Sequence, residues 1–179
     1  NPFRLLGVWS NARQADIVRN IGRMKAYLNV GRPVDYPSDI NFLIPEVQRT
    51  LESAQKAQAD INLPADKLRY ALFWFCSGDP IDETALNNLI NNDADKAISI
   101  FERRETYSSI INRAVLYMIR GDYAKAVSAY SSLIHNYTYR QLFVSTICGD
   151  AFSITESDMS QLLLKELMSE IGASKLLTM

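Results

Sequence analysis

Apolar residues recur along most of this chain at spacings of three and four, and alternating apolar and polar runs are rare. That period is typical of amphipathic α-helices and does not favour β-strands. The clearest stripe, at spacings of four, three and four, consists of Ile17, Ile21, Met24 and Leu28. Ser10 or Asn11 is expected to cap this helix, and Gly31 to end it. Only 7 Gly and 6 Pro residues occur, which leaves long stretches for helices.

The same period predicts a series of helices separated by turns. They are expected from Pro45 to Ile61, from Pro64 through residue 75, and at 83–90, 95–105, 107–119, 123–134, 138–148 and 157–172. Residues 70–75 are apolar on nearly every side, so this segment is predicted to be covered by more than one neighbour and to form a seam. The turn at 77–80 marks the predicted boundary between a module of residues 1–77 and a second of residues 78–179. These elements predict an all-α fold.

The two ends of the first module carry a distinctive residue pattern. Phe3 begins an aromatic-x-x-Leu-Gly-Val sequence that includes Gly7, with Ala12 and Ile17 at the following spacing. The residues at the other end of the pattern are Ala57, Ile61, Pro64, Lys67 and Tyr70. Over residues 3–71 this pattern resembles the J-domain family of chaperone partners. The resemblance implies a J-like helical module at the N-terminus.

The functional tripeptide of that family, His-Pro-Asp, is missing from this chain. In J-domains it follows the second helix and stimulates ATP hydrolysis by the seventy-kilodalton heat-shock chaperone. Its place here is taken by residues 29–31, Asn-Val-Gly, while the loop at 36–39 keeps a Pro and Asp39 without a histidine. Stimulation by the usual mechanism is therefore not expected. The basic face of the family's second helix is partly kept, in Arg19, Arg23 and Lys25.

A second pattern surrounds the tight turn at Gly121. Small, aromatic and apolar residues flank this turn at regular spacings, namely Ala114, Tyr117, Tyr123, Ala126, Tyr130 and Leu133. They resemble one tetratricopeptide repeat, a helical hairpin in which small residues let two helices cross closely. A weaker copy precedes it at 85–101, and residues 138–172 are predicted to form a third, degenerate pair. The resemblance implies antiparallel hairpins packed on the J-like module, because one hairpin cannot bury its apolar faces alone.

Charge and composition exclude several classes of function. The 19 Lys and Arg residues are balanced by 20 Asp and Glu residues, so binding to nucleic acid or to a membrane surface through net positive charge is not expected. No apolar run approaches the roughly 20 residues of a membrane span, and the chain opens at Asn1 without a basic and apolar leader. Cys76 and Cys148 lack metal or redox spacing, which predicts two reduced thiols and a cytoplasmic protein.

No arrangement of residues in the sequence is typical of an enzyme. Gly-rich phosphate loops, metal-ligand clusters and Ser–His or Cys–His pairs are all missing, so no catalytic residue and no cofactor is predicted. The single histidine, His135, is expected to make local contacts at a helix end. Aromatic residues at helical spacings are expected in the core. The exception is a cluster predicted to be exposed, formed by Tyr137, Tyr139 and Arg140.

The sequence therefore predicts a non-catalytic scaffold or adaptor for a protein partner, with a heat-shock chaperone or its client as the first candidate. The predicted binding residues are Arg19, Arg23 and Lys25 on one helix, and Tyr137, Tyr139 and Arg140 beyond the clear repeat. One alternative is a divergent co-chaperone that stimulates a heat-shock ATPase through Asp39. Another is the regulatory or oligomerisation region of a larger protein, because residues 174–179 are largely apolar and contain no clear stop signal.

Overall fold

The computed structural model describes residues 1–177, with the side chains of residues 1–168. In this range the chain forms ten α-helices, one turn of 3-10 helix at Pro37–Asp39 and no β-strand, which confirms the predicted all-α fold. The helices, in chain order, are α1 (Pro2–Leu5), α2 (Gln14–Asn29), α3 (Leu51–Asp60), α4 (Pro64–Ala71), α5 (Pro80–Ile90), α6 (Ala94–Glu102), α7 (Tyr107–Arg120), α8 (Tyr123–His135), α9 (Tyr137–Cys148) and α10 (Glu156–Leu177). The apolar segment 174–179 lies outside the residues whose side chains are described.

The helix predicted from Pro45 begins later, at Leu51. Thr50 caps α3, because its hydroxyl accepts the N–H of Ser53 while the Ser53 hydroxyl accepts the N–H of Thr50. The residue before this cap, Arg49, extends its side chain into the core. The predicted start at Pro45 is therefore wrong, because a capping residue takes an extended backbone and the helix can begin only after it.

The apolar segment at 70–75 is only partly helical. Helix α4 ends at Ala71, and the chain then runs through the core as irregular backbone from Leu72 to Cys76. The prediction of a helix up to residue 75 is therefore wrong, although its predicted burial is confirmed for most of its residues. A neighbouring segment forms hydrogen bonds with polar groups of this irregular backbone. The N–H of Ser10, for example, donates to the Phe75 carbonyl at 2.8 Å.

Two asparagine side chains hold the connection between the two predicted modules. The Asn112 amide accepts from the N–H of Cys76 at 2.7 Å and donates to its carbonyl at 2.8 Å. The Asn11 amide makes the same pair of bonds with Ser77, at 3.0 and 2.7 Å. Each amide side chain thus pairs with both the N–H and the carbonyl of one residue of the connection, as a neighbouring β-strand would. Because Asn11 precedes α2 and Asn112 lies in α7, the connection is fixed from both sides.

Helices α5 and α6, and then α7 and α8, form two consecutive hairpins. Gly121 joins α7 to α8 with a φ of +80°, a conformation that favours glycine. Ala114 and Ala126 are fully buried, as expected where two helices approach closely. In the described residues, 138–172 does not form the predicted third hairpin, because α9 packs on α4, α7 and α8 while α10 packs on α8 and α4.

One hydrophobic core runs through both predicted modules. The hydroxyl of Tyr130 in α8 donates to the Leu72 carbonyl at 2.6 Å, and its ring centre lies 6.0 Å from that of Phe73. The guanidinium of Arg69 in α4 pairs with Glu166 of α10 at 3.0 Å. Residues on either side of the predicted boundary at 77–78 therefore pack against each other, with α4 in contact with both α9 and α10.

Asp79, which caps α5, makes the stability of this fold depend on pH. Arg104 donates to its two carboxylate oxygens at 2.7 and 2.6 Å, and the N–H groups of Ile81 and Asp82 donate to it as well. Arg104 and these donors lower the pKa of Asp79 to about 2. The unfolded value is about 3.9. A carboxylate with a lowered pKa stabilises the fold above the unfolded pKa, and loses that contribution as the pH falls through the folded one.

Asp79→Asn is therefore expected to lower the free energy of unfolding at neutral pH, and the loss should shrink as the pH falls from about 4 to about 2. Urea unfolding of both proteins across this range measures the difference. Asp150→Asn, which changes an exposed carboxylate outside the helices, serves as the control and should show no such trend. A loss that stays constant down to the lowest pH would mean that Asp79 acts only as a neutral cap.

Candidate functional site

The predicted basic residues of α2 lie on the surface. Arg19, Arg23 and Lys25 are all exposed. Arg19 and Arg23 are one helical turn apart and share a face, whereas Lys25 follows Arg23 by two residues and lies on another side of the helix. Asp16 pairs with both Arg13 and Arg19, at 3.0 and 2.6 Å. The structure thus brings two of the three predicted residues together and places Arg13 beside them.

Arg23 is held in place by two tyrosine rings. Its guanidinium carbon lies 5.5 Å from the ring centre of Tyr27 and 5.6 Å from that of Tyr36. Tyr36 packs against Gly7, where a Cβ atom would come within 2.2 Å of the ring and where φ is +67°. Only glycine suits that position. The Tyr36 hydroxyl donates to the Asn20 carbonyl at 3.0 Å, which ties the ring to α2.

A cleft of about 610 Å³ lies beside this part of α2. Its walls come from α2 and the loop before it on one side and from α5 on the other, and they include Trp9, Arg13, Arg19, Ser77 and Glu83. The α2 wall supplies two arginines with the carboxylate of Asp16 between them, and the α5 wall supplies the carboxylate of Glu83. The cleft therefore gives the exposed arginines an adjacent depression that side chains of a partner can enter.

Asp39, the residue on which the co-chaperone alternative depends, is buried. Its side chain is 3% exposed, and that of its partner Arg49 is 2% exposed. Arg49 donates to the two carboxylate oxygens at 2.5 and 2.8 Å, and the N–H of Tyr36 donates at 3.0 Å. A carboxylate held in this way can contact a partner only if the surrounding loop opens. The co-chaperone alternative therefore depends on a carboxylate that a partner cannot reach in this structure.

The cluster predicted at Tyr137, Tyr139 and Arg140 is only partly exposed. Tyr137 is 69% exposed, Tyr139 is half-buried and Arg140 is 7% exposed. The Arg140 guanidinium donates to the Ile134 carbonyl in the last turn of α8, where helix carbonyls lack helical partners, and lies 3.6 Å from Glu156. The predicted exposure of Arg140 is therefore wrong, because this side chain joins the end of α8 to the start of α10.

The sequence prediction misses an apolar groove between α8 and α10. Val127 of α8 and Leu164 of α10 line it and are exposed. A signal is present in the sequence, because Tyr123 precedes Val127 by four residues and Met168 follows Leu164 by four. Spacing does not tell which apolar side of a helix remains uncovered, however, since that depends on which helices pack against it.

Neither cysteine is poised for reaction. Burial raises the pKa of the Cys76 thiol to about 12 and that of the Cys148 thiol to about 11, so both are protonated at neutral pH. His135 Nδ1 lies 2.6 Å from Glu156 Oε1, so this histidine contacts the first residue of α10 instead of making the predicted local contact within its own helix. Among the described residues, no group of three or more His, Cys, Asp or Glu side chains is arranged to hold a metal ion. Over the same part of the chain, no helix combines the length and hydropathy of a membrane span.

Two features of the described surface thus stand out as candidate binding sites. One is the set of exposed cations on α2 with the cleft beside it, and the other is the groove between α8 and α10. Both are open depressions formed by neighbouring helices. No protein-family model, curated protein or solved structure matches this chain.

Proposed function

We propose that this chain is a non-catalytic adaptor that binds an acidic surface of a partner protein through the cations of α2. The observation that carries the proposal is a local concentration of positive charge. Residues 13–32 contain five Arg and Lys residues and one Asp, in a chain with 19 cations and 20 anions. All five cations are exposed. Arg13, Arg19 and Arg23 lie on the side of α2 that carries Asp16, and we name these three residues the α2 cation patch, whereas Lys25 lies on another side.

The charge of this patch suits a protein partner. A patch with excess positive charge on a chain of balanced charge attracts an oppositely charged surface and speeds the encounter. Asp16 offsets one of the three positive charges of the patch. Arg23 rests against Tyr27 and Tyr36 before any partner arrives, so less side-chain freedom is lost when it binds.

A heat-shock chaperone or its client is the first candidate partner in this proposal. The pattern over residues 3–71 resembles the J-domain family, and a basic second helix is part of that resemblance. We propose recruitment without stimulation of ATP hydrolysis, since residues 29–31 lack the tripeptide and Asp39 is buried. A cytoplasmic location belongs to the same proposal. A non-catalytic role is supported by the use of Asp39, Asn112 and Arg140 in contacts that hold the fold together.

Reversing two charges of the α2 cation patch tests the proposal. Arg13→Glu with Arg19→Glu is expected to weaken binding to the purified seventy-kilodalton heat-shock chaperone of the native cell by about ten-fold or more at low salt, and by less at high salt. Surface plasmon resonance with the full chain measures this. The matched control, Lys96→Glu with Arg103→Glu, makes the same change in net charge at exposed positions in and just after α6 and should bind like the wild type.

The outcomes separate the adaptor role from the identity of its partner. If the chaperone does not bind, affinity capture from the native cell compares the two double variants. Proteins that are lost with the α2 variant and kept with the control would support the adaptor and remove the chaperone. If the two double variants lose the same proteins, or none, the α2 cation patch is not the binding surface and the proposal fails.

A further inference from the structure

The groove between α8 and α10 is built from two antiparallel helices in a simple register. His135, the last residue of α8, lies beside Glu156, the first residue of α10. Moving four residues along each helix leads to Ser131 and Ser160, and four more lead to Val127 and Leu164. All six residues except Glu156 line the groove, which confirms that the register holds along it. One further turn leads to Tyr123, the first residue of α8, and to Met168 of α10.

Four large apolar side chains are left uncovered along this register. Tyr123, Val127, Leu164 and Met168 are between 57% and 72% exposed. By the register they make two facing pairs that are one helical turn apart. Val127 and Leu164 line a depression of about 260 Å³ between the two helices, whose other apolar lining residues are Tyr130, Ile134, Leu163 and Leu167. Single exposed apolar residues are ordinary, but a contiguous group of this kind marks an interaction surface.

Helix α10 is longer than the helix it packs against. The register places Met168 opposite Tyr123, where α8 begins, so by the same register the nine residues of α10 after Met168 extend beyond α8. At 1.5 Å per residue this overhang is roughly 13 Å long. The sequence continues the apolar spacing into it, since Ile171 follows Leu164 and Met168 at i+7 and i+3. The chain thus carries a groove and, directly adjoining it, a helix segment with the spacing that such a groove accepts.

We propose that this groove is occupied by a second copy of the same chain. The two α10 helices lie antiparallel and cross near Met168, so that the overhang of each copy lies along the groove of the other. A two-fold axis makes the contact isologous, and Tyr123, Val127, Leu164 and Met168 of both copies are buried together. The overhang of each copy thereby gains the helical neighbours that α8 does not supply.

The overhang beside the apolar group favours a second copy over an unrelated globular partner. Four partly exposed side chains offer on the order of 400 Å², about half of what one partner contributes to a standard interface. In a two-fold contact each copy adds its overhang to this group, and the overhangs supply contact area that the group alone lacks. Since the contact is modest, the dimer should be reversible and its fraction should rise with protein concentration.

Leu164→Glu with Met168→Glu tests the dimer, because both side chains are exposed and the change should leave the fold intact. Sedimentation over a hundred-fold range of concentration should show a reversible dimer for the wild type and a monomer for this variant. Leu142→Glu, at an exposed position of α9 outside the groove, is the matched control and should dimerise like the wild type. The charge reversals in α2 should leave the dimer unchanged, so this inference and the proposed function can fail separately.

A cysteine cross-link tests the arrangement of the two helices. Met168→Cys should form a disulfide between copies under mild oxidation, because the crossing point brings the two substituted positions together. Val30→Cys, at an exposed position just after α2, should not. A wild type that is monomeric at every concentration overturns the proposal, even if the groove binds a helix of another protein. Dimers that persist in the Leu164 and Met168 double variant would overturn it as well.

Discussion

Asp39→Ala is expected to lower the free energy of unfolding by about 3–5 kcal/mol, because it leaves the Arg49 guanidinium buried without its counter-charge. Arg49 also donates to the backbone carbonyls of Leu5, Arg4 and Val34, at 2.8, 3.0 and 3.0 Å. These bonds hold the guanidinium in the core after the substitution, so it cannot escape to solvent at low cost. Urea unfolding followed by circular dichroism measures the change.

The exposed pair of Lys56 and Asp60 is the matched control. Its N–O distance is 2.7 Å, but Lys56 is largely exposed, and exposed pairs of this kind contribute little to stability. Asp60→Ala should therefore cost much less than Asp39→Ala. If Asp39→Ala does not fold, Asp39→Asn keeps one acceptor oxygen in place and should give a measurable, smaller loss. If both substitutions lowered the free energy of unfolding equally, the buried Asp39–Arg49 pair would not have this stabilising role.

The loss of stability in Asp39→Ala also affects any measurement of ATP turnover with this variant. An Asp39→Ala chain that fails to stimulate a chaperone would not show that Asp39 acts on the chaperone, because the substitution also removes the side-chain bonds that tie the 3-10 turn to Tyr36 and to Arg49 in the loop before α3. Any such assay needs a stability measurement beside it. Stimulation through Asp39 requires a side chain that reaches the surface, and this one does not.

Asn112→Ala is expected to cost about 2–6 kcal/mol, since it leaves both the N–H and the carbonyl of Cys76 buried without a partner, at roughly 1–3 kcal/mol each. Cys76 is fully buried and lies between the two predicted modules. Thermal and urea unfolding of the variant test this expectation.

Asn11→Ala provides the comparison, because Asn11 makes the same two bonds with Ser77. Both residues are only half-buried, so water can take over the bonds and the loss should be smaller, about 1 kcal/mol. A loss at Asn11 as large as that at Asn112 would mean that the connection is stabilised by its shape rather than by burial of its polar groups.

The helices were largely predictable because their signals are local. The starts of α4, α7 and α8 and the end of α9 agree with prediction, and each has a nearby signal such as Pro64 at a first turn or Gly149 after the last one. The errors occur where a long-range contact decides the backbone. Helix α4 stops at Ala71 because the following residues pair with Ser10 and Asn112, which are far away in the sequence.

The candidate binding residues also divide into those decided by local pattern and those decided by long-range contacts. Exposure of Arg19, Arg23 and Lys25 was predictable, because each lies away from the apolar stripe of its own helix. Burial of Asp39 and Arg140 was not, because each carries a charge in a polar stretch and is buried only through a partner elsewhere, Arg49 for one and the end of α8 for the other. The sequence pattern of a polar residue does not distinguish a solvated charge from a paired one.

The sequence by itself determined the all-α class, the positions of most helices and the cationic character of α2, because periodicity, capping residues and charge act over a few neighbouring residues. Only the tertiary structure decided that both predicted modules share one core, that Asp39 is bound to Arg49, and that α8 and α10 leave an apolar groove open. Each of these depends on which helices meet and in what register. That choice is made by the packing of the whole chain and is not encoded in any one segment.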